Sequence, residues 1–173
     1  EGIDFVPDVK KPKVISIKKD KYNPRSLSDN YVMSVFTDRG GTLWIGTGGG
    51  GINKFNPYNI KFKHYREQLH TRKSLSNNFV WSISEDHQGK IWIGTKEGLN
   101  LFDPLSEEFT VYLSGKTLNM GLSHDQIWCT IEDHQNNLWI GTGGGGINKL
   151  NPGRNKFISY TAAPDAHLQP NGK

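Results

Sequence analysis

Apolar residues in this chain come in short runs separated by polar ones, and no window holds a helical period with caps. The run YVMSVFT closes at Asp38, and after Asp-Arg-Gly-Gly a second run, TLWIGT, begins at Thr42. A third, GINKF, follows a glycine turn, and a fourth, KFKHYR, follows the break at Asn56-Pro57. The Asp-x-x-Gly spacing is turn chemistry: the Asp side chain bonds nearby backbone, and Gly accepts a positive φ. Such a run of elements predicts a small, twisted, antiparallel sheet of four strands, too little to be stable alone.

The same pattern occurs three times. Residues 38–57 read DRGGTLWIGTGGGGINKFNP, residues 86–104 DHQGKIWIGTKEGLNLFDP and residues 133–152 DHQNNLWIGTGGGGINKLNP. Trp44, Trp92 and Trp139 lie 48 and 47 residues apart, and Asp38, Asp86 and Asp133 keep those intervals, as do Leu27, Leu75 and Leu122. These Trp and Asp residues are the expected structural anchors. Sheets of this kind bury their Trp, Ile and Phe by stacking face to face around an axis, the logic of a β-propeller blade. The predicted fold is therefore all-β, with three four-stranded blades at about residues 27–66, 75–113 and 122–161.

Residues 1–12 have no counterpart in the repeat and read as a linker. Residues 13–17 (KVISI) align with KFKHY of the first repeat, so they predict the fourth strand of a blade whose first three strands are missing, an orphan strand. Residues 162–173 read as the start of a further crossing or a tail. Three blades and one orphan strand cannot close the usual ring of about four to eight blades. The arc is thus expected to be part of a larger propeller or to be closed by oligomerisation, other blades or a second copy covering its flanks.

Composition adds mainly exclusions. At 173 residues with 34% hydrophobic content, one domain with a packed core is affordable. No run is apolar enough to span a membrane, and no charged-then-apolar leader is visible. The net charge is +4, but Lys and Arg are spread along the repeats, which favours a solvated surface over a nucleic-acid footprint. The glycine run from Gly46 to Gly51 satisfies the spacing of a dinucleotide fingerprint, as does the run from Gly141 to Gly146; a strand, not a helix, follows each, so a tight turn is the better reading. Cys129 aligns with Ser34 and Ser82 and is expected to be a small buried core residue. His87 and His134 share a turn position held by Arg39 in the first repeat, which points to turn chemistry rather than metal binding. No cofactor or metal is implied, and no catalytic motif is present.

What remains is one face. The crossings into each first strand bring Asn30 and Tyr31, Asn78 and Phe79, and Asp125 and Gln126, with His124 beside them. The turns between second and third strands open on the same side and add Lys96, Glu97 and the glycine runs. Rings beside amide and carboxylate groups suit a sugar, whose hydroxyls want bidentate partners and whose C–H faces stack on aromatics. The alternative is that Asn30 and Asn78 bond local backbone where the chain enters each strand.

The core Asp-x-x-Gly-x-Leu/Ile-Trp-Ile-Gly-Thr, with Gly-Ile/Leu-Asn and Asn/Asp-Pro after it, resembles the two-component regulator propeller repeat. Asp86, Gly89, Trp92, Ile93, Gly94, Thr95, Gly98 and Leu99 match it position for position, as do Asp38, Gly41, Trp44, Ile45, Gly46, Thr47, Gly51 and Ile52; the third copy has Asn136 for the turn glycine. The resemblance implies a place in the extracytoplasmic sensor region of a bacterial hybrid two-component system, periplasmic or extracellular. Many such sensors respond to oligosaccharides and pass the signal to a histidine kinase, which this chain does not contain. It further implies a non-catalytic module that binds a ligand or a partner surface. The competing class is a propeller enzyme similar to the streptogramin lyases, for which Lys96, Glu97, His124 and Asp125 would have to supply the chemistry.

Overall fold

The computed structural model describes residues 2–6, 10, 13–56, 61–68, 71, 74–115 and 121–161, and these described residues form strands, turns and loops with no helix. The expected break at Pro57 and the tail at 162–173 lie outside these residues. Three antiparallel four-stranded sheets follow one another. The first holds β3 (Val32–Thr37), β4 (Leu43–Thr47), β5 (Ile52–Asn56) and β6 (Lys61–Tyr65) in sequence order. The second holds β7 (Val80–Glu85), β8 (Ile91–Thr95), β9 (Gly98–Asp103) and β10 (Glu108–Tyr112). The third holds β11 (Ile127–Glu132), β12 (Leu138–Thr142), β13 (Ile147–Leu150) and β14 (Phe157–Tyr160).

The turn after each first strand forms as its residues require. Gly41 and Gly89 both take φ 79°, and Asn136, the substitute in the third copy, takes φ 63°. The preceding Asp then anchors the hairpin and the core together. Its carboxylate accepts the indole N–H of the Trp six residues on, at 2.8 Å from Trp44 to Asp38, 3.1 Å from Trp92 to Asp86 and 2.8 Å from Trp139 to Asp133. The polar edge of a buried indole is thereby satisfied.

Burial lies between sheets rather than within them. Trp44 and Ile52 of the first blade pack against Leu75, Val80, Ile91, Ile93, Phe102 and Phe109 of the second. Trp92 and Leu99 of the second pack in the same way against Leu122, Ile127, Leu138, Ile140, Leu150 and Phe157 of the third. Strands β4 and β8 have a blade on each side and are buried at every position. Strand β12 has no following blade among the described residues and alternates buried with partly buried, Trp139 among the latter.

The bare glycine in Trp-Ile-Gly-Thr makes this stacking possible. A Cβ on Gly46 would stand 2.6 Å from Val80 Cγ1, and one on Gly94 would stand 2.8 Å from Ile127 Cγ2, so each glycine is a socket for the first aliphatic residue of the next blade. Charges cross the lower rim of each seam. The Arg39 amide donates to Glu85 at 2.9 Å and its guanidinium lies 3.0 Å from the same carboxylate. The His87 amide donates to Glu132 at 3.0 Å, with Nδ1 2.5 Å from the other oxygen. What the sequence presented as local turn chemistry at these positions is therefore a contact between blades.

The amino-terminal segment corrects two expectations. Within the expected linker Ile3–Phe5 is a strand, and the strand expected at residues 13–17 is not an orphan. Ile3–Phe5 (β1) pairs antiparallel with Ile15–Ile17 (β2), with Ile3 opposite Ile17 and Phe5 opposite Ile15. Gly2 takes φ 94°, and a Cβ there would stand 2.6 Å from the Ile17 carbonyl oxygen, as one on Gly51 would stand 2.3 Å from that of Tyr65. β1 and β2 thus pair as the third and fourth strands of each blade do. This half-blade covers Leu43, Ile45 and Phe55 of the first blade, and Phe5 meets Phe55 edge-on at 6.2 Å.

Cys129 corrects a third. It is a free, exposed thiol, not a core residue. It stands opposite Gly141 on the blade whose outer side meets no further sheet among the described residues, whereas the Oγ atoms of Ser34 and Ser82 at the same register are shut inside seams.

Candidate ligand-binding face

The crossings into β3, β7 and β11 are built from one template, and most of its polar groups hold the backbone. Asn30 Oδ1 accepts the Lys19 amide at 2.7 Å, Asn78 Oδ1 the Glu67 amide at 2.9 Å, and Asp125 the Ser114 amide at 2.6 Å. Their carbonyls reach the preceding blade, accepting Gly2 N–H at 3.0 Å, Gly51 N–H at 3.0 Å and Gly98 N–H at 2.7 Å. One residue earlier, Asp29 and Asn77 cap the strand start by accepting the amides of Tyr31 and Phe79, at 2.9 and 2.8 Å. His124 does the same through Nδ1 to the Gln126 amide at 3.0 Å, which puts its proton on Nε2.

The rings next to these capping residues are left to solvent. Tyr31 is 64% and Phe79 40% exposed. Tyr31 lies flat on the first glycine turn, its Cδ1 2.3 Å from where a Gly48 Cβ would be, and Gly48 bridges to Phe79 across the seam. Lys96 Nζ stands 5.7 Å from the centre of the Phe79 ring. Tyr31, Phe79 and Lys96 therefore come together on one rim, with exposed Glu97 beside Lys96. Gln126 lies against Gly143 on the next blade along that rim.

Sequence reading missed two features here. Each first strand carries a β-bulge, between Val32 and Ser34, Val80 and Ser82, and Ile127 and Cys129, so Met33, Trp81 and Trp128 are the extra residues. Trp128 is 59% exposed and its indole nitrogen lies 3.0 Å from the Gly143 Cβ position, which adds a third ring to the rim. The 48 and 47 residue spacing of Met33, Trp81 and Trp128 was the available signal. The second feature is the tether formed by Asn53, Asn100 and Asn148, all fully buried, which grip the amide and hydroxyl of Ser28, Ser76 and Ser123. Ser-Leu-Ser and Gly-Ile/Leu-Asn each repeat in the sequence, but nothing in the spacing pairs them.

On the opposite side of the blades, the Asp133 carboxyl is a pH-sensitive anchor. Burial would push it up, but hydrogen bonds from the Trp139 indole and from Asn137 outweigh that and hold it well below the usual carboxylate range. A carboxyl depressed in the folded state stabilises the fold fully above its unfolded value of about 3.9 and loses that contribution as pH falls toward the folded value. The melting temperatures of the parent and Asp133→Asn should therefore differ most at neutral pH and converge below about pH 4. A difference independent of pH would show that the charge on Asp133 is immaterial.

Among the described residues no three His, Cys, Asp or Glu side chains group closely enough to hold a metal ion. The two component regulator propeller family model matches residues 26–49, 74–97 and 121–144, once for each four-stranded sheet. It is similar to a crystal structure described as the extracellular domain of the hybrid two component system BT3049 from B. thetaiotaomicron, at 25% identity and TM-score 0.76, over 87% of this chain and 21% of that one. A second structure, the extracellular domain of the one component system BT4673 from B. thetaiotaomicron, aligns at 24% identity and TM-score 0.40 over 75% of this chain and 24% of that one. The chain thus spans about a fifth of the length of the first structure. No curated protein matches it.

Proposed function

We propose that the three regulator propeller repeats serve as a ligand-recognition module of an extracytoplasmic signal sensor, periplasmic or extracellular, whose histidine kinase lies outside this chain. The rim carrying Tyr31, Phe79, Lys96, Glu97, His124, Asp125, Gln126 and Trp128 meets the ligand, and an oligosaccharide is the class that suits it. The observation that carries the reading is the division of labour on that rim: the polar groups Asn30, Asn78, Asp125 and His124 are spent on backbone, while Tyr31, Phe79 and Trp128 present ring faces to solvent. Exposed rings on a braced loop face offer contact area at little conformational cost, as sugar stacking needs. The similarity to the extracellular domain of a hybrid two component system supports the sensor setting. The engagement of His124 and Asp125 with backbone weighs against the lyase alternative, because both would have to break local capping to act as acid, base or ligand.

Calorimetry of a panel of neutral and acidic oligosaccharides tests the site. A saccharide bound by the parent should bind the Tyr31→Ala, Phe79→Ala double variant at least about tenfold more weakly, the equivalent of about 1.4 kcal/mol. Unchanged affinity would place the site elsewhere, and a panel without any binder would favour a partner surface.

A further inference from the structure

We infer that Lys96 and Glu97 are the specificity-determining residues of the rim and select a neutral saccharide with two adjacent ring hydroxyls over an acidic one, an inference that rests on the oligosaccharide reading above. The three turns between second and third strands are not equivalent. The first and third are runs of four glycines and leave no space for a side chain. A Cβ on Gly48 would run into the Tyr31 ring, one on Gly50 would stand 2.5 Å from Ser28 Oγ, one on Gly143 2.6 Å from Gln126 Oε1 and one on Gly145 2.5 Å from Ser123 Oγ. The second turn is one residue shorter and carries Lys96 and Glu97, both exposed. Of the three turns, only this one brings charged side chains to the rim.

The backbone of that turn is braced from both sides. Lys96 N–H donates to the Phe79 carbonyl at 3.1 Å, Glu97 N–H to the Thr95 hydroxyl at 3.2 Å, and Gly98 N–H to the Asp125 carbonyl of the next crossing at 2.7 Å. Thr95 is fully buried, and its hydroxyl is tied to the Gly98 carbonyl and to Ser76 Oγ, each at 2.9 Å. The charged ends are uncommitted by contrast. Among the described residues the Lys96 ammonium meets only the Phe79 ring, and the Glu97 carboxylate holds no hydrogen bond or ion pair. A rigid turn that presents a donor and an acceptor side by side, neither engaged by the fold, suits a ligand group that both accepts and donates.

Adjacent hydroxyls on a pyranose ring have that character. An ammonium has three donors and no acceptor and a carboxylate only acceptors, whereas a hydroxyl does both, so one hydroxyl accepts from Lys96 while its neighbour donates to Glu97. The C–H face of the same ring then meets the exposed Phe79 side chain. A uronic acid or a sulfate fits worse. Beside the one ammonium of the turn it would face two carboxylates, Glu97 and Asp125, whose carbonyl holds the turn, and like-charge repulsion discriminates against it without any added contact.

The test is calorimetry at low salt with matched pairs, each a tetrasaccharide of glucose, mannose or galactose and its uronic acid counterpart. The parent should bind the neutral member of a pair at least about tenfold more tightly than the acidic one, a difference that added salt reduces. Lys96→Met keeps an apolar stem beside Phe79 but removes the donors, and should weaken the neutral member about tenfold. Glu97→Gln removes the negative charge and should bring the two members within about threefold of each other. An acidic member bound by the parent as tightly as its neutral counterpart would overturn this inference and leave the rim as the ligand face, as would a neutral saccharide that neither substitution affects. A saccharide whose affinity survives the Tyr31→Ala, Phe79→Ala double substitution would instead overturn the reading of the rim, and a panel without any binder would overturn both.

Discussion

Trp92→Ala is expected to remove about 3–5 kcal/mol of stability, the usual range for deleting a large buried aromatic. Trp92 has no exposed surface and stands at the centre of the seam between the second and third blades, against Leu99, Ile127, Leu138 and Leu150. The substitution acts three ways at once. It opens a cavity in the apolar cluster between two sheets. It strips Asp86, itself only 2% exposed, of the indole donor at 3.1 Å. It also removes the ring over which Arg154 lies at 5.2 Å while that guanidinium reaches Asp86 and Glu132. Trp139→Ala is the matched comparison, because the same residue in the same strand keeps its Asp bond but is only partly buried, with no following blade among the described residues; it should cost about 1 kcal/mol. Urea denaturation of the two variants reads the difference, and equal losses would mean that the seam is not what Trp92 stabilises.

Asn100→Ala should cost about 3 kcal/mol, although it deletes only one amide, since buried polar groups left without partners cost about 1–3 kcal/mol each. The fully buried Asn100 side chain accepts the Ser76 amide at 2.9 Å and donates to the Ser76 hydroxyl at 2.8 Å. That pair pins the crossing segment to the third strand of the blade it enters, with Leu75 held in the core beside it at 2% exposure. Ala leaves the buried Ser76 amide without its acceptor and the Ser76 hydroxyl with Thr95 Oγ1 alone, whereas Ser76→Ala removes one hydroxyl and should cost about 1 kcal/mol. A midpoint for Asn100→Ala within error of the Ser76→Ala value would show the tether to be incidental.

The blades were legible because their signals are local and repeated. Asp-x-x-Gly turns, Trp-Ile-Gly-Thr strands and the constant interval each state one structural fact, and together they fixed four strands per blade and the direction of Trp44 and Trp92. The half-blade escaped because it shows only Gly2-Ile3-Asp4 of the repeat, one residue out of step and with Asp for Asn; the match to Gly51-Ile52-Asn53 was there to be read. Cys129 was misplaced because alignment gives register, and register does not say whether a neighbouring sheet exists to bury it. The rim was half legible. Loop position brought Tyr31, Phe79 and Lys96 to one side, but the engagement of Asn30, Asn78 and Asp125 with backbone depends on crossings whose course the sequence does not dictate, and a bulge leaves no composition mark that would have singled out Trp128.

Each apolar cluster belongs to the junction between two sheets, and no cluster spans more than one junction. Cooperativity in such an arrangement is quasi-one-dimensional: the free energy is a sum of intrinsic sheet terms and nearest-neighbour coupling terms, as in a linear Ising chain. Opening should then start at either end and travel inward, with protection graded along the arc and greatest in the first and second blades, each with two couplings among the described residues where the third has one. Removing an entire repeat and joining its neighbours would exchange one coupling for another of the same kind, and should be tolerated better than a single substitution that breaks the junction it leaves behind.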